Sequence, residues 1–129
     1  MKSTASRRPA RVAERVKEEL MRLLLKGELR DPDAAGVYVS HVTVSVDLKL
    51  ARIYIRLTEA ESNDASRRAA VRAMNRAGGF LRRQLGPKLE LRHLPELHFH
   101  WDEQPDRAAR VEQILAEIGR EQNSERESR

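Results

Sequence analysis

The chain has no cysteine, only two Phe, two Tyr and one Trp among its 129 residues, and no long apolar run. Each absence removes something. Without cysteine there is no disulfide, no thiolate metal site and no cysteine nucleophile, which fits a reducing compartment. With so few aromatics, aliphatic side chains must supply most of the buried surface. No stretch approaches the roughly 20 apolar residues that a membrane-crossing helix needs. The segment Met1 to Arg11 is basic and polar with no apolar h-region, so it does not read as a secretory signal. Catalytic signatures are missing as well: no phosphate-binding P-loop, no Gly-x-Gly-x-x-Gly fingerprint and no serine in an elbow motif. The acidic residues fall on helical outer faces or in loops rather than as a pair in one cleft, where general acid–base chemistry would need them. The expectation is a soluble, cytoplasmic, single-domain protein with no enzymatic activity, no cofactor and no small-molecule substrate.

What is present is positive charge, unevenly spread. The formal net charge is +5, yet from Trp101 onward five Arg face eight Asp and Glu, leaving about +8 on residues 1–100. A basic body with an acidic end favours a polyanionic partner, because each Lys or Arg that neutralises a phosphate releases a counterion. The same composition also suits a merely well-solvated surface.

Periodicity divides the chain into seven elements. Residues 1–8 are basic and aperiodic and are expected to form a flexible N-terminal arm. Pro9 suits an early helical position, and Val12, Val16, Leu20 and Leu23 or Leu24 follow at helical spacing, with Gly27 as the stop. Asp31-Pro32 enforces an extended or turn conformation. Val37 to Val46 is β-branched, and its apolar alternation changes phase between Val39 and Val42, which calls for a bulge near Ser40-His41. After a turn at Asp47-Leu48-Lys49, Ala51, Ile53, Ile55 and Leu57 alternate with Arg52, Tyr54 and Arg56, completing an antiparallel hairpin with one apolar face. Asn63 or Asp64 caps a second helix from about Ala65 to Ala77, burying Ala70, Ala73, Met74 and Ala77. Gly78-Gly79 interrupts it, and Phe80, Leu81 and Leu85 carry a short third helix that stops at Gly86-Pro87. Leu89 and Leu91 begin an extended stretch that resumes after Pro95 as Leu97, Phe99 and Trp101, a strand that Pro95 confines to a sheet edge or to starting there. Gln104-Pro105 opens a fourth helix with Ala108, Val111, Leu115 and Ile118 on one face. Residues 120–129 carry no apolar side chain and read as a disordered charged tail. The order α-β-β-α-α-β-α, with a right-handed crossover between parallel strands, predicts an α+β domain over residues 9–119. Its three-stranded mixed sheet has helices on one face.

Several segments, in this order and at these spacings, resemble ribosome-binding factor A, a family of bacterial small-subunit assembly proteins with a type II KH-like fold. They are Arg-Val-Ala-Glu-Arg-Val at 11–16, Asp31-Pro32, Val-Tyr-Val-Ser-His-Val-Thr-Val-Ser-Val-Asp-Leu at 37–48 and Ala51-Arg52-Ile53-Tyr54-Ile55. Ala77-Gly78-Gly79-Phe80-Leu81-Arg82 and Leu91-Arg92-His93-Leu94-Pro95-Glu96-Leu97-His98-Phe99 complete the set. The resemblance implies binding to the free or immature 30S subunit through 16S ribosomal RNA; the sequence carries no sign of oligomerisation, and a monomer is expected. The resemblance further implies a part in late maturation, including processing of the RNA 5′ end, and in cold adaptation. It also implies that an Ala-x-Gly kink, here Ala77-Gly78-Gly79, stands in place of the Gly-x-x-Gly loop of KH domains. In one respect the chain departs from the family pattern: Asp33 follows Asp-Pro where a basic residue is usual.

The candidate RNA contacts follow from charge and from the kink. Arg7, Arg8, Arg11 and Arg15 cluster on the arm and first helix, while Arg76, Arg82 and Arg83 surround the kink, with Lys88 and Arg92 downstream. Glycines at Gly78-Gly79 permit positive φ and close approach of another chain, and a helix starting there offers free N–H groups to a phosphate. The same pair serves a plain helix–helix turn. Tyr54, between Arg52 and Arg56, is a candidate for stacking on an unpaired base, although a solvated strand face has the same pattern. His98, His100 and Asp102 are metal ligands by type, but Phe99 and Trp101 claim the core face and leave the imidazoles toward solvent. A generic KH-like binder of single-stranded RNA and a protein-interaction module remain as alternatives.

Overall fold

The computed structural model describes residues 4–58 and 62–127, with residues 4–6 described by their backbone alone. Helix α1 spans Thr4–Leu25 and is followed by a single 3-10 turn at Pro32–Ala34. The strands are β1 (Val37–Val44), β2 (Leu50–Leu57) and β3 (Glu96–Trp101); the remaining helices are α2 (Asp64–Arg76), α3 (Gly78–Leu89) and α4 (Gln104–Glu127). The sheet order is β1-β2-β3, with β1 antiparallel and β3 parallel to β2. This is the mixed α+β sheet that the alternation and crossover predict, with β3 at an edge and Pro95 just before it.

The core lies on one face of the sheet. Val39, Val42, Ile53, Ile55, Leu97 and Phe99 point into it, and Val16 and Leu20 of α1, Met74 of α2 and Leu81 and Leu85 of α3 close it. The register of β1 slips between Val39 and His41, so Ser40 is the extra residue of a bulge where the phase change predicts one. Its hydroxyl donates to the Asp102 carboxylate at 2.6 Å, tying β1 to the end of β3. Both sheet edges are occupied at mid-strand. The Val39 N–H meets Met21 Sδ at 3.3 Å. Asn75 both accepts from the Phe99 N–H at 2.9 Å and donates to its carbonyl at 3.1 Å. Edges blocked in this way offer fewer free groups for pairing with another chain.

The turn chemistry is explicit. Asp47 accepts from the Ser45 hydroxyl at 2.6 Å and the Lys49 N–H at 3.0 Å, while Ser45 Oγ accepts from the Leu50 N–H at 3.0 Å. Asn63 caps α2 by accepting from the Ser66 N–H at 2.8 Å. Gly27, at φ 68°, ends α1 in the left-handed region that favours glycine.

Three helix boundaries, the geometry of the kink and one packing expectation differ. Helix α1 begins at Thr4 rather than at Pro9, so Thr4 to Arg8, assigned by sequence to a flexible arm, are helical; residues 1–3 lie outside the described residues. Pro9, the sixth helical residue, lies just past the four unpaired N–H groups of the first turn and removes the single bond that an N–H there would make to the Ala5 carbonyl. Helix α3 passes through Gly86-Pro87 to Leu89, so Leu89 is a buried helical residue and not the start of an extended stretch. Gly86 is a packing position there and no stop: a Cβ would come within 3.0 Å of Leu94 Cδ1. The kink places Ala77 at φ −80°, ψ −3° as the junction of α2 and α3, and neither Gly78 nor Gly79 takes a positive φ. Helix α4 continues to Glu127, where the sequence reading placed a disordered tail from Arg120; Glu, Gln and Arg are good helix formers without any core contact. Residues 128–129 lie outside the described residues. Finally, α1, α2 and α3 cover the sheet, but no residue of α4 is buried, so only three of the four helices lie on the core face.

Candidate nucleic-acid interface

Three of the arginines singled out by sequence converge. Arg8 from α1, Arg82 from α3 and Arg92 from the loop before β3 line one cleft of about 690 Å3, together with Lys49 of the hairpin turn, His93 and His98. Its floor is apolar, made by Leu48, Leu50, Leu91 and Leu94, and its acids are Asp47 and Glu96. Asp47 is held below the usual carboxylate range, first by the Ser45 hydroxyl and then by the Lys49 N–H. Glu96 sits 3.4 Å from His98 Nε2. Leu48 takes φ 62°, a conformation uncommon for leucine, at the tip of the turn that borders the cleft. Arg82 is fixed in place by donating to the Leu94 carbonyl at 2.6 Å.

The other candidates are dispersed. Arg7 and Arg11 are exposed on α1. Arg15 donates to the Lys88 carbonyl at 2.7 Å, which joins α1 to the last turn of α3 and leaves the Lys88 side chain exposed. Arg83 is exposed, with Nη1 3.6 Å from where a Gly79 Cβ would stand. Ala77, Gly78 and Gly79 form the helix junction, where a Cβ on Gly78 would stand 3.7 Å from the Leu97 carbonyl oxygen of β3. Arg76 leaves the group that the sequence drew around the kink: its guanidinium lies 3.3 Å from Asp31 and 3.8 Å from Asp33. Asp33, the departure from the family pattern, therefore partners a cation across the fold. Exposed pairs of this kind contribute little to stability, but they lower the charge presented at that corner.

Sequence reasoning missed two features. Lys49, His93 and His98 belong to the basic cleft, and only the tertiary approach of the hairpin turn to the 91–94 loop brings them there. At the other end of the sheet, two guanidinium groups lie over the Trp101 ring, Arg56 at 4.7 Å and Arg67 at 5.0 Å from its centroid. Arg56 also donates to Asp106 at 3.0 Å and to the Asp102 carbonyl at 2.8 Å. Burial lowers the Arg56 pKa, but the bond and charge of Asp106 outweigh it and the net shift is upward. Asp106 is pulled down, chiefly by the Arg56 hydrogen bond. Asp102 is buried and committed to Ser40 and to the Gln104 N–H at 3.0 Å, so it is not placed as a ligand beside His98 and His100. Among the described residues no group of three His, Asp or Glu is arranged to hold a metal ion, and no helix is long and apolar enough to cross a membrane.

Comparison with known proteins agrees with the fold and its order of elements. The family model described as ribosome-binding factor A matches residues 8–115. The chain is 42% identical over 112 residues to ribosome-binding factor A of Sorangium cellulosum, covering 87% of this chain and 89% of that protein. The crystal structure of ribosome-binding factor A from Thermus thermophilus superposes with a TM-score of 0.60 at 25% identity, over 72% of this chain and 94% of that one. A homology model of the Thermus thermophilus protein, fitted into a cryo-EM map of its complex with the 30S subunit, is similar with a TM-score of 0.51. It is 26% identical and covers 68% of this chain and 92% of that one.

Proposed function

Because the chain belongs to the ribosome-binding factor A family, we propose that it is a non-enzymatic assembly factor that docks on the free or immature 30S subunit through 16S ribosomal RNA. The observation that carries this reading is the meeting of Arg8, Arg82 and Arg92, from segments far apart in sequence, around one cleft with Lys49 at its rim. Four cations against two carboxylates on an apolar floor suit a sugar–phosphate backbone. Contacts to phosphates position a protein on RNA without reading its sequence. The exposed Arg7, Arg11, Arg15, Arg83 and Lys88 extend the positive surface along α1 and α3, and the kink at Ala77-Gly78-Gly79 lies one turn before Arg82 on the same helix. Arg76 contributes less, its charge being shared with Asp31 and Asp33. Bound in this way, the protein holds a late-folding segment of the RNA until the subunit matures, the stage at which the 16S 5′ end is processed and at which chilled cells stall. It acts as a monomer in the cytoplasm.

The test is capture of purified free 30S subunits in sedimentation, with the wild-type chain and with Arg8, Arg82 and Arg92 all changed to Glu. The variant loses capture. In a salt titration, neutralising the same three positions with Ala lowers the slope of log affinity against log salt by about 2 to 3. Undiminished capture by the folded triple variant ends the proposal. Tighter binding to a short unstructured RNA than to subunits favours a general single-strand binder instead.

A further inference from the structure

The face of the sheet turned away from the core carries a different surface. His41 of β1, Tyr54 of β2 and His100 of β3 are register partners across all three strands. Their rings form one row, with centroids 5.9 and 5.7 Å apart and planes inclined at 31° and 34°. His41 and His100 are exposed and Tyr54 is half-buried. A hollow of about 440 Å3 opens beside His41 and Tyr54, lined also by Thr43, Trp101, Asp102, Glu103, Gln104 and Arg107. In the next row, Arg52 is exposed and makes no ion pair among the described residues. Arg107 is paired with Glu103 at 3.1 Å, so Arg52 is the cation the face presents.

We propose that this row is a nucleobase site, on which unpaired bases of single-stranded RNA stack while Arg52 meets the adjoining phosphate. The inference rests on the RNA-binding reading above and adds a second surface to it, one that adjoins the cleft at His98. The chemistry of the row selects the ligand. The core does not need these rings, because it lies on the other side of the sheet. A protein partner would look for aliphatic side chains, whereas the rows here present His41, Thr43, Arg52, Tyr54, His98 and His100. Every base has a π-face and every nucleotide a phosphate, and rings beside an exposed guanidinium answer both. The cleft grips backbone charge; the row grips bases.

The experiment separates the two. A fluorescent oligoadenylate of about ten nucleotides and an abasic sugar–phosphate chain with the same number of phosphates are titrated against the full chain. The wild type prefers the oligoadenylate by about tenfold, the effect of roughly one stacked base. Tyr54→Leu abolishes the preference and Tyr54→Phe retains it. His41→Ala with His100→Ala, both at exposed positions, reduces it without depending on how the sheet tolerates a change at Tyr54. Reversing Arg8, Arg82 and Arg92 weakens both strands alike and leaves the ratio intact. Equal binding of the two strands by the wild type overturns the proposal, as does a preference that survives in Tyr54→Leu. Failure of the arginine variant to weaken either strand counts against the docking reading and leaves the base site standing.

Discussion

Helices α1 and α4 are nearly equal in length, 22 and 24 residues, and each carries an apolar stripe at helical spacing. In α1 the stripe is Val12, Val16 and Leu20, exposed by 8% or less. In α4 it is Val111, Ile114, Leu115 and Ile118, exposed by 45% to 62%. The difference is one of geometry. The loop after Leu25 turns α1 back across β1, whereas α4 leaves the end of β3 and is held to the body near its first turn by Arg56, Trp101 and Asp106. Periodicity shows which side of a helix is apolar; it is silent on whether anything covers that side.

The sharpest way to break the comparison is to truncate one leucine in each helix. Leu20→Ala opens a cavity in the core and lowers unfolding stability by about 2–5 kcal/mol. Leu115→Ala, with nothing packed on it, stays within about 0.5 kcal/mol. Urea denaturation measures both, and a loss of about 2 kcal/mol or more at Leu115, the size of a core truncation, would show that α4 is covered in solution. The junction comes next in size. Asp102→Ala removes the carboxylate that holds the Ser40 hydroxyl and the Gln104 N–H, at a cost of about 1–3 kcal/mol in the same urea assay. A value near zero there would mean that the bulge and the start of α4 hold without it.

The smallest effect is a pH dependence at the base of α4. The folded pKa of Asp106 lies below its unfolded value of about 3.9, because Arg56 favours the carboxylate. Its contribution to stability is therefore fully present above that value and is lost as pH falls through the depressed folded pKa. Trp101 is the sole tryptophan and its Nε1 lies 3.4 Å from an Asp106 oxygen, so its emission reports the event. An emission change below about pH 4 is expected in the wild type and absent in Asp106→Asn. The same step in that variant would assign it to another carboxylate.

Much of the architecture was legible because it depends on local pattern. The β-branched run of β1, its phase slip at Ser40-His41, the alternation of β2 and the crossover to β3 are all written in neighbouring residues. The helix ends were less so. Pro9 and Pro87 look like boundaries, but each costs a helix only one bond near its end. The candidate site was half legible: Arg8, Arg82 and Arg92 stand out by charge, while their meeting with Lys49, His93 and His98 depends on the hairpin turn approaching a distant loop. The pairing of Arg76 was not legible, since neither Asp31 nor Asp33, both far upstream, advertises itself as its partner. Asn75, which occupies the outer edge of β3, had no signal in an arginine-rich helix.

The supernumerary Ser40 is dispensable for the inside-outside pattern of β1. Take it away, and Val39, His41 and Val42 still face Ile55, Tyr54 and Ile53 in turn, in a ladder of unbroken parity. What disappears is a hydroxyl that reaches the Tyr54 carbonyl at 3.1 Å as well as the Asp102 carboxylate. The inserted serine thus acts as a rivet between the first and last strands, set where the last helix departs. Shortening β1 by that one residue should leave the interior intact and loosen the root of α4.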